Sequence, residues 1–471
     1  MRKEFLYDIV RKRLEQEILT QKKAGEFLPP VAELCARFGA SAITVNRVLR
    51  ELAAEGRLER IKHCGTRVVW MPDAVNLPPA GKRRIRILAA HPQRWLVMHV
   101  MERKLVDFCR YRPEYELQCE YASRDEQIER LLHNDYDFVF ADSGQVKLMM
   151  HFAVLREKLL PLDRLPGLHF NPTDFVPAAV RLGCAPDGRQ YGLVLTAGPD
   201  LQLIDLASGV PGVDRLSPYW NVWLSQLCKL RQGTAPMLSL PTDLRYLEPI
   251  FRMHGVPLFD PEMRQCLLDT VPARTLLEEL VHYLHREKLG LLSGKAPGLG
   301  DLAGGREMPR APVPVMIVSM ISLQPGRGSS HFRMRTLPQA RTRATWLFWE
   351  GVLVGRQCDP VLAAELLNYF QNATVQSSLL GCTGLPARLD MQQLALMSYE
   401  PDFPGITEAF ARGMEAADNP YAIPYPALEV LNDYFRQVLC GRKPLREGLR
   451  DRVRDINSIL RQGEAALRTV R

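Results

Sequence analysis

The sequence predicts a multidomain chain in which a small helical head precedes a larger α/β body. Three observations predict this organisation. Residues 1–70 contain three segments with apolar residues at helical spacing, followed by two short strand-like segments. Residues 71–83 carry no hydrophobic period and are rich in proline and small residues, as expected for a short, stiff linker. Residues 84–471 alternate short apolar strands with amphipathic helices, the pattern of α/β proteins.

Composition and charge narrow the class of protein. Hydrophobic residues make up 46% of the chain and charged residues 24%, which is typical of globular domains. The sequence shows neither a membrane span nor a signal peptide, and its ten cysteines lack metal-ligand spacing. We therefore expect a cytoplasmic protein without membrane contact, structural metal or disulfides. Residues 1–70 hold 14 Lys/Arg against 9 Asp/Glu, an excess that favours phosphate backbones, although a solvated basic face is the alternative.

The head follows a three-helix plan. A first helix is predicted over "FLYDIVRKRLEQEIL", and a second begins at the proline of "LPPVAELCARFG" and ends at Gly39. Ser41 is an N-cap for a third helix, which ends at Gly56. The buried stripe of this third helix is predicted to be Val45, Val48, Leu49 and Leu52. "RLERIKHCGTRVVW" then predicts a β-hairpin around Gly65, which completes a winged helix-turn-helix.

The string "LPPVAELCARFGASAITVNRVLRELAAEGRLERIKHCGTRV" resembles the DNA-binding head of the GntR family of bacterial transcription regulators. The resemblance implies binding to a double-stranded operator. It is incomplete: Pro30, Ala32, Ala42 and Asn46 replace residues usual in the family, and His63 replaces the first wing glycine. The operator is therefore expected to differ from the family's typical one.

The DNA contacts are expected on the third helix and on the wing. Asn46 can pair with adenine N6/N7, and Arg47 with guanine or a phosphate, although some of these side chains are alternatively plain surface residues. The candidate DNA-binding residues are Ser41, Thr44, Asn46, Arg47, Arg50, Lys62, His63 and Arg67.

The first strands of the body predict where a ligand would bind. Strands are predicted at "IRILAA", "YELQCEYA" and "YDFVFADS", with helices at "VMHVMERKLVDFCRYRP" and "RDEQIERLLHN" between them. This order specifies a parallel sheet, whose ligands are favoured at the carboxyl ends of the strands. Those ends are His91 to Trp95 and the pair Asp142 and Ser143.

The body also resembles the extracellular solute-binding proteins of family 1, the sugar receptors of ABC transporters. The segments that carry the resemblance are "FCRYRPEYELQ", "REKLLPLDRL", "DGRQYGLVL", "PYWNVWLSQLCKL" and "DPVLAAELLNYFQNATVQSSLLGCTGLPAR". The resemblance implies a two-lobed type II periplasmic-binding-protein-like fold with a ligand cleft. Ile204 and Asp205 replace the family's Tyr and Asn, and residues 289–312 are loop-like, so the ligand is expected to differ from the usual sugars.

The segment "TRATWLFWEGVLVG" is the main candidate for ligand binding, because its family counterpart enters the cleft. Trp346 and Trp349 are candidates for stacking on a sugar ring, and Glu350 for accepting hydroxyl hydrogen bonds. We favour Trp349 with Glu350, since "WLFW" alternates and one tryptophan is expected in the core. Trp220 and Trp223 are expected to pack helices. The resemblance adds further candidates at the cleft, namely Trp95, Asp142, Ser143 and Arg388.

Together these patterns predict a homodimeric, ligand-responsive regulator, without a cofactor and without catalysis. Its effector is expected to be a sugar or oligosaccharide. Two alternatives remain open: a pyridoxal-phosphate aminotransferase-like body, or a degenerate solute-binding body used only for dimerisation. The first needs a Schiff-base lysine, and Lys295 lies in a Gly/Pro-rich stretch without the required partners. A transport receptor is opposed by the predicted DNA-reading head.

Overall fold

The computed structural model describes residues 10–11, 14, 27–54, 58–61, 65–68, 82–90, 96–291, 313–319, 323, 330–380 and 385–469. Contacts divide the chain into two compact units, with a boundary between Arg83 and Arg84. Leu96 and residues 113–116 are grouped with the first unit. We call the first unit the head and the second the body. Most of the predicted linker, residues 71–81, lies outside the described residues.

The described part of the head contains helices α1 (Val31–Phe38) and α2 (Ala42–Ala54) and strands β1 (Leu58–Ile61) and β2 (Gly65–Val68). Helix α1 ends at Gly39, whose φ of 61° lies in the left-handed region that glycine adopts without strain. The Ser41 hydroxyl accepts the backbone N–H of Thr44 at 3.2 Å, as an N-cap does. β1 and β2 pair antiparallel, as the wing prediction requires.

The core of the head consists of the predicted apolar stripe and its partners. Val45, Val48, Leu49 and Leu52 of α2 are buried, and they pack with Leu34 of α1 and Leu58 and Val68 of the hairpin. Val10 and Leu14 join this core from the predicted first helix, of which only residues 10, 11 and 14 are described.

The body consists of strands and helices in alternation. Its strands are β3 (Arg83–Ala90), β4 (Tyr115–Ala122), β5 (Phe138–Asp142), β6 (Leu159–Leu160), β7 (Gly192–Asp205), β8 (Leu238–Ser239), β9 (Gly290–Leu291), β10 (Val315–Ser319), β11 (Phe332–Arg335), β12 (Thr345–Gly355), β13 (Leu385–Pro386) and β14 (Ala417–Asp418). Its helices are α3 (Leu96–Tyr111), α4 (Arg124–His133), α5 (Ser143–His151), α6 (Ala153–Arg156), α7 (Pro177–Leu182), α8 (Trp220–Leu230), α9 (Leu244–Met253), α10 (Val271–Val281), α11 (Pro360–Gln371), α12 (Ala373–Ser377), α13 (Leu389–Tyr399), α14 (Ile406–Glu415), α15 (Tyr425–Leu439) and α16 (Leu449–Thr469).

The strands of the body form one mixed sheet in the order β4-β3-β5-β12-β7-β10-β8-β9. β3 and β5 are parallel, as predicted, but β12 runs antiparallel to both β5 and β7. The sheet is therefore mixed where the sequence predicted a parallel one, because β12 returns from a distant part of the chain. β7 pairs with β12 through residues 192–199 and with β10 through residues 200–204. We call the strands on the β12 side of β7 the first half of the sheet, and those on the β10 side the second half.

A large apolar core surrounds the second half of the sheet. Helices α8, α9, α10, α15 and α16 contribute to it. Trp220 and Trp223 stack within this core at 5.4 Å between ring centroids, which confirms that they pack helices. Among the described residues, no helix combines the length and the apolar character needed to cross a membrane.

Candidate functional site

The surface of α2 opposite the head core carries the candidate DNA contacts. Arg47 and Arg50 are exposed and Asn46 is half-buried, whereas the stripe that begins at Val45 is buried. Arg47 Nε lies 3.2 Å from Glu51 Oε1, and Arg50 Nε donates to the Asn46 carbonyl at 3.4 Å. An exposed ion pair of this kind contributes little to stability.

The N-terminal turn of α2 holds two hydroxyl groups. The side chains of Ser41 and Thr44 lie 3.0 Å apart and are hydrogen-bonded to each other. In helix-turn-helix proteins, the first residues of the recognition helix contact the base edges. On the wing, Arg67 is half-buried on β2, while Lys62 and His63 lie outside the described residues.

The body contains a cavity of about 400 Å³. Its walls come from α4, the β5–α5 junction, the start of α9, β12, and the segment from Asn419 to Asn432. The volume falls within the range of about 300–1,000 Å³ typical of small-molecule sites. Aromatic rings supply much of the lining, contributed by Tyr246, Trp346, Phe348, Tyr421 and Tyr425.

Asn419 is the polar group of the cavity that most directly indicates a ligand. Its side chain is fully buried, and neither Oδ1 nor Nδ2 has a hydrogen-bond partner within the described part of the chain. An unsatisfied buried amide costs roughly 1–3 kcal/mol, so such groups are retained where something binds them. The NH₂ group donates and the carbonyl oxygen accepts, a combination that suits a hydroxylated ligand.

Two carboxyl groups on the cavity lining, those of Asp125 and Asp243, have raised pKa values. Burial raises the pKa of Asp125, and the neighbouring Glu429 adds to the rise. Burial also raises the pKa of Asp243, which Arg436 and Arg245 partly oppose. Neither side chain has a salt bridge to a described residue, so both can accept hydrogen bonds from ligand hydroxyls.

Arg245 and Tyr246 line the cavity from the start of α9. Arg245 Nη2 lies 2.9 Å from Asp200 Oδ1 and also contacts the Ser319 hydroxyl. The guanidinium carbon lies 5.6 Å from the ring centroid of Phe348 and 5.2 Å from that of Tyr246. Burial raises the pKa of Tyr246 to about 12, so the phenol stays protonated at neutral pH.

Asp142 and Ser143 line the cavity, as expected from their position after β5. Asp142 Oδ1 accepts the backbone N–H groups of Gly144 and Gln145 at 2.9 and 3.1 Å, so it caps α5. Its Oδ2 lies 2.5 Å from Arg124 Nη2. The carboxylate therefore holds the helix start and the arginine in place, and little of it remains for a ligand.

Of the two tryptophans on β12, the structure places Trp346 at the cavity and Trp349 in the core. Trp346 is partly exposed and lines the cavity with Phe348, two residues along the strand. Trp349 is fully buried, and its indole N–H donates to the Ala179 carbonyl at 2.9 Å. We favoured Trp349 as the ligand-binding tryptophan, but its side chain does not line the cavity. The reason is the two-residue period of the strand.

Glu350 and Arg388 do not line the cavity. Glu350 is buried and accepts a hydrogen bond from the Thr196 hydroxyl at 3.0 Å. Arg388 pairs with Asp390 at 2.7 Å and donates to the Gln371 carbonyl at 2.5 Å, which fixes the start of α13. Trp95 lies outside the described residues.

Sequence reasoning missed most of the cavity's second wall, namely Asp243, Arg245, Tyr246, Asn419, Tyr421 and Tyr425. These residues lie on α9 and after β14, far along the chain from the strand ends that predicted the site. The one available signal was the aromatic and asparagine content of "DNPYAIPY", which contains Asn419, Tyr421 and Tyr425.

Residues 6–68 match the model of the family described as "Bacterial regulatory proteins, gntR family". The head is therefore a GntR-type winged-helix domain, as its sequence resemblance predicted. No curated protein sequence matches the chain.

Three solved structures of substrate- or sugar-binding proteins are similar to the chain. The ABC substrate-binding protein Lmo0181 from Listeria monocytogenes, in complex with cycloalternan, has a TM-score of 0.62 at 16% identity, covering 80% of this chain and 99% of that one. The sugar-binding protein MalE from Xanthomonas citri has a TM-score of 0.62 at 14% identity, covering 82% and 99%. The cyclic α-maltosyl-1,6-maltose binding protein from Arthrobacter globiformis has a TM-score of 0.59 at 13% identity, covering 81% and 100%.

These likenesses show the fold of the body, which is similar to type II periplasmic binding proteins. The aminotransferase-like alternative for the body does not agree with this fold. Lys295, its candidate lysine, lies outside the described residues.

Proposed function

We propose that the chain is a transcription regulator whose head binds an operator and whose body binds a small hydroxylated solute, a sugar or oligosaccharide. Solute binding then changes the affinity for the operator. The observation that carries the proposal is the aromatic cavity around the unsatisfied amide of Asn419, on a chain whose head is of the GntR type. The proposed place of action is the cytoplasm, and no catalytic step is proposed.

The head supports operator binding through one exposed helix face. Thr44, Asn46, Arg47 and Arg50 lie on α2 outside the head core, with the hydroxyl groups at the helix start. A single head covers few base pairs, so we propose a homodimer in which two heads read two half-sites.

Replacing Thr44 and Asn46 together by alanine is expected to lower the affinity for the operator by about 100-fold. Each lost base contact costs roughly 1–3 kcal/mol, and neither side chain belongs to the buried stripe of α2. The measurement is a gel shift on fragments selected in vitro by the unmodified protein, with unrelated DNA as competitor.

Glu33→Gln serves as the matched control, because Glu33 is exposed on α1 and lies outside the proposed interface. It should bind like the unmodified protein. Unchanged recognition by the Thr44/Asn46 double variant would reject α2 as the recognition helix.

Asn419→Leu is expected to weaken solute binding by about tenfold or more without lowering thermal stability. The change removes both amide hydrogen bonds to the solute, but in the free protein it replaces a buried amide that already lacks partners. The solute is first identified by thermal-shift screening of a sugar panel, and affinities are then measured by calorimetry.

The control for this variant is Asn221→Leu, the same change at an exposed position of α8. If Asn419→Leu and the unmodified protein bind the solute with equal affinity, the cavity is not the solute site. If no sugar in the panel stabilises the protein, sugar sensing fails and the dimerisation alternative stands.

Coupling between the two sites is tested by repeating the gel shifts with saturating solute. Solute binding shifts the operator affinity only if it distinguishes the DNA-competent arrangement from the other one. Coupling energies are typically about 1–3 kcal/mol, so a change of roughly 5- to 150-fold is expected. An operator affinity that is independent of solute would contradict the regulatory part of the proposal.

A further inference from the structure

A second recess of about 310 Å³ lies in the body, beyond the end of β12. Arg356 lines it, whereas Phe348 of the same strand lines the cavity described above. Phe348 and Arg356 are eight residue steps apart along the chain, or about 26 Å at about 3.3 Å per step in an extended strand. The recess is therefore a separate feature of the body.

Arginine dominates the recess. Arg156, Arg164, Arg189 and Arg356 line it from four different segments, and the acidic residues on the lining are Glu157 and Asp187. Four arginines against two carboxylates give the lining an excess of positive charge, which raises the local concentration of anions.

Three of these arginines form no salt bridge with a described residue. Arg156 Nη1 donates to the carbonyl groups of Met150 and His151 at 2.5 and 3.0 Å, and Arg356 Nη1 to that of Glu157 at 3.2 Å. Carbonyl groups are neutral, so these bonds orient the guanidinium groups without neutralising them. Among the described residues, Arg156, Arg164 and Arg356 have no carboxylate within salt-bridge distance. Arg189 differs, because its Nη2 lies 2.8 Å from Asp163 Oδ1.

The walls of the recess are held by backbone hydrogen bonds. Arg356 N donates to the Lys158 carbonyl at 2.8 Å, and Leu162 N to the Gln190 carbonyl at 2.7 Å. β12 also pairs with β6, where Gly355 lies opposite Leu159. The arginines thus start from fixed segments, which lowers the entropy lost when a ligand is bound.

The planar guanidinium group, with its fork of N–H donors, matches phosphate oxygens in geometry and charge. A recess of this volume has room for a small molecule, whereas a duplex presents its phosphates on a convex surface. We propose that this recess binds a small phosphate-bearing molecule, as a second ligand site independent of the solute cavity. Arg156, Arg164 and Arg356 hold the phosphate group.

The test uses the full chain with inorganic phosphate and glucose 6-phosphate as probes, and glucose as the uncharged probe. Calorimetry is carried out at fixed ionic strength, so that general screening does not imitate binding. Both phosphate-bearing probes are expected to bind, and Arg156→Gln with Arg356→Gln should weaken them about tenfold or more. Arg215→Gln is the control, since Arg215 is highly exposed and pairs only with Asp214 at 3.8 Å.

Arg156 also donates hydrogen bonds to the backbone, so its replacement could disturb folding as well as binding. A second variant therefore separates the two effects. Arg164→Gln removes an exposed charge and should weaken both probes severalfold with unchanged thermal stability. The proposal is overturned if neither probe binds at millimolar concentration, or if both variants bind like Arg215→Gln. It is also overturned if the variants lose affinity only for DNA, which would make the recess a DNA contact. Asn419 does not line this recess, so Asn419→Leu should bind both phosphate-bearing probes like the unmodified protein. Failure of the sugar proposal can therefore be distinguished from failure of this one.

Discussion

Gly355→Ala is expected to destabilise the body by more than about 3 kcal/mol, the upper end of ordinary overpacking costs. A Cβ atom at Gly355 would lie 1.6 Å from the carbonyl oxygen of Tyr136 and 2.8 Å from its carbonyl carbon. Both are backbone atoms, so no side-chain rotation relieves the clash. The two segments are also joined by the hydrogen bond from Gly355 N to the Asp137 carbonyl at 2.8 Å. Relief therefore requires β12 to separate from its neighbour.

The measurement is denaturant unfolding of the full chain, followed by circular dichroism. Gly463→Ala is the matched control, because its Cβ would lie 3.8 Å from Pro424 Cγ, an ordinary contact. Gly463 lies within α16, where alanine is favoured over glycine by about 0.5–1 kcal/mol, so this variant should be slightly more stable. A Gly355→Ala protein with the unmodified midpoint would contradict the close approach of β12 to the Tyr136 segment.

Arg245→Met is expected to lower the free energy of unfolding by about 3–5 kcal/mol, the usual result of removing one partner from a buried ion pair. Asp200 is 1% exposed, and its Oδ2 already lacks a hydrogen-bond partner within the described residues. Without Arg245, its carboxylate would be buried with no opposite charge beside it. Arg412→Met, which breaks the exposed pair with Glu408, should change stability by less than about 1 kcal/mol.

The loss in Arg245→Met should depend on pH. Burial raises the pKa of Asp200, and Arg245 counteracts this rise, so the variant's folded-state pKa should lie further above the unfolded value. The folded state then retains a proton that the unfolded state releases, and stability falls as pH increases. The loss in the free energy of unfolding should be smaller at pH 5 than at pH 8. Adding Asp200→Asn to the Arg245→Met chain should recover part of this loss. A deficit that is equal at both pH values and unchanged by Asp200→Asn would contradict this account.

The sequence predicted the described part of the head closely, because each signal there is local. Gly39 has the left-handed conformation expected of a helix end, and Ser41 caps the helix that follows it. The apolar stripe from Val45 to Leu52 forms the core. A cap or a helical stripe depends on neighbours within a few residues, so no long-range information is needed.

The order of strands in the body was only partly predictable. β3, β4 and β5 and the helices between them follow the expected pattern, and β3 and β5 are parallel. The place of β12 between β5 and β7 depends on pairing across more than a hundred residues, which no local period encodes. The resemblance to solute-binding proteins placed the β12 segment at the cleft, but it did not give the neighbours of β12 in the sheet.

The site shows the same division. The strand-end rule located Asp142 and Ser143, and the resemblance located β12 at the cavity. The alternation of side chains along a strand does not tell which face of β12 lines the cavity. Trp346 lines it and Trp349 lies in the core, whereas the sequence favoured Trp349 for the cavity. Asn419 was missed because its burial and its missing partners are properties of the packed structure alone.

The position of β12 in the sheet also constrains how the chain is made. Synthesis delivers β5 and β7 before β12, yet β12 pairs with both of them. On the ribosome, the centre of the first half therefore stays incomplete until residue 355 has emerged, and the edges of β5 and β7 remain open until then. Pairing over such separations is also intrinsically slow. The body thus matures late in translation, long after the residues that form the head have been released.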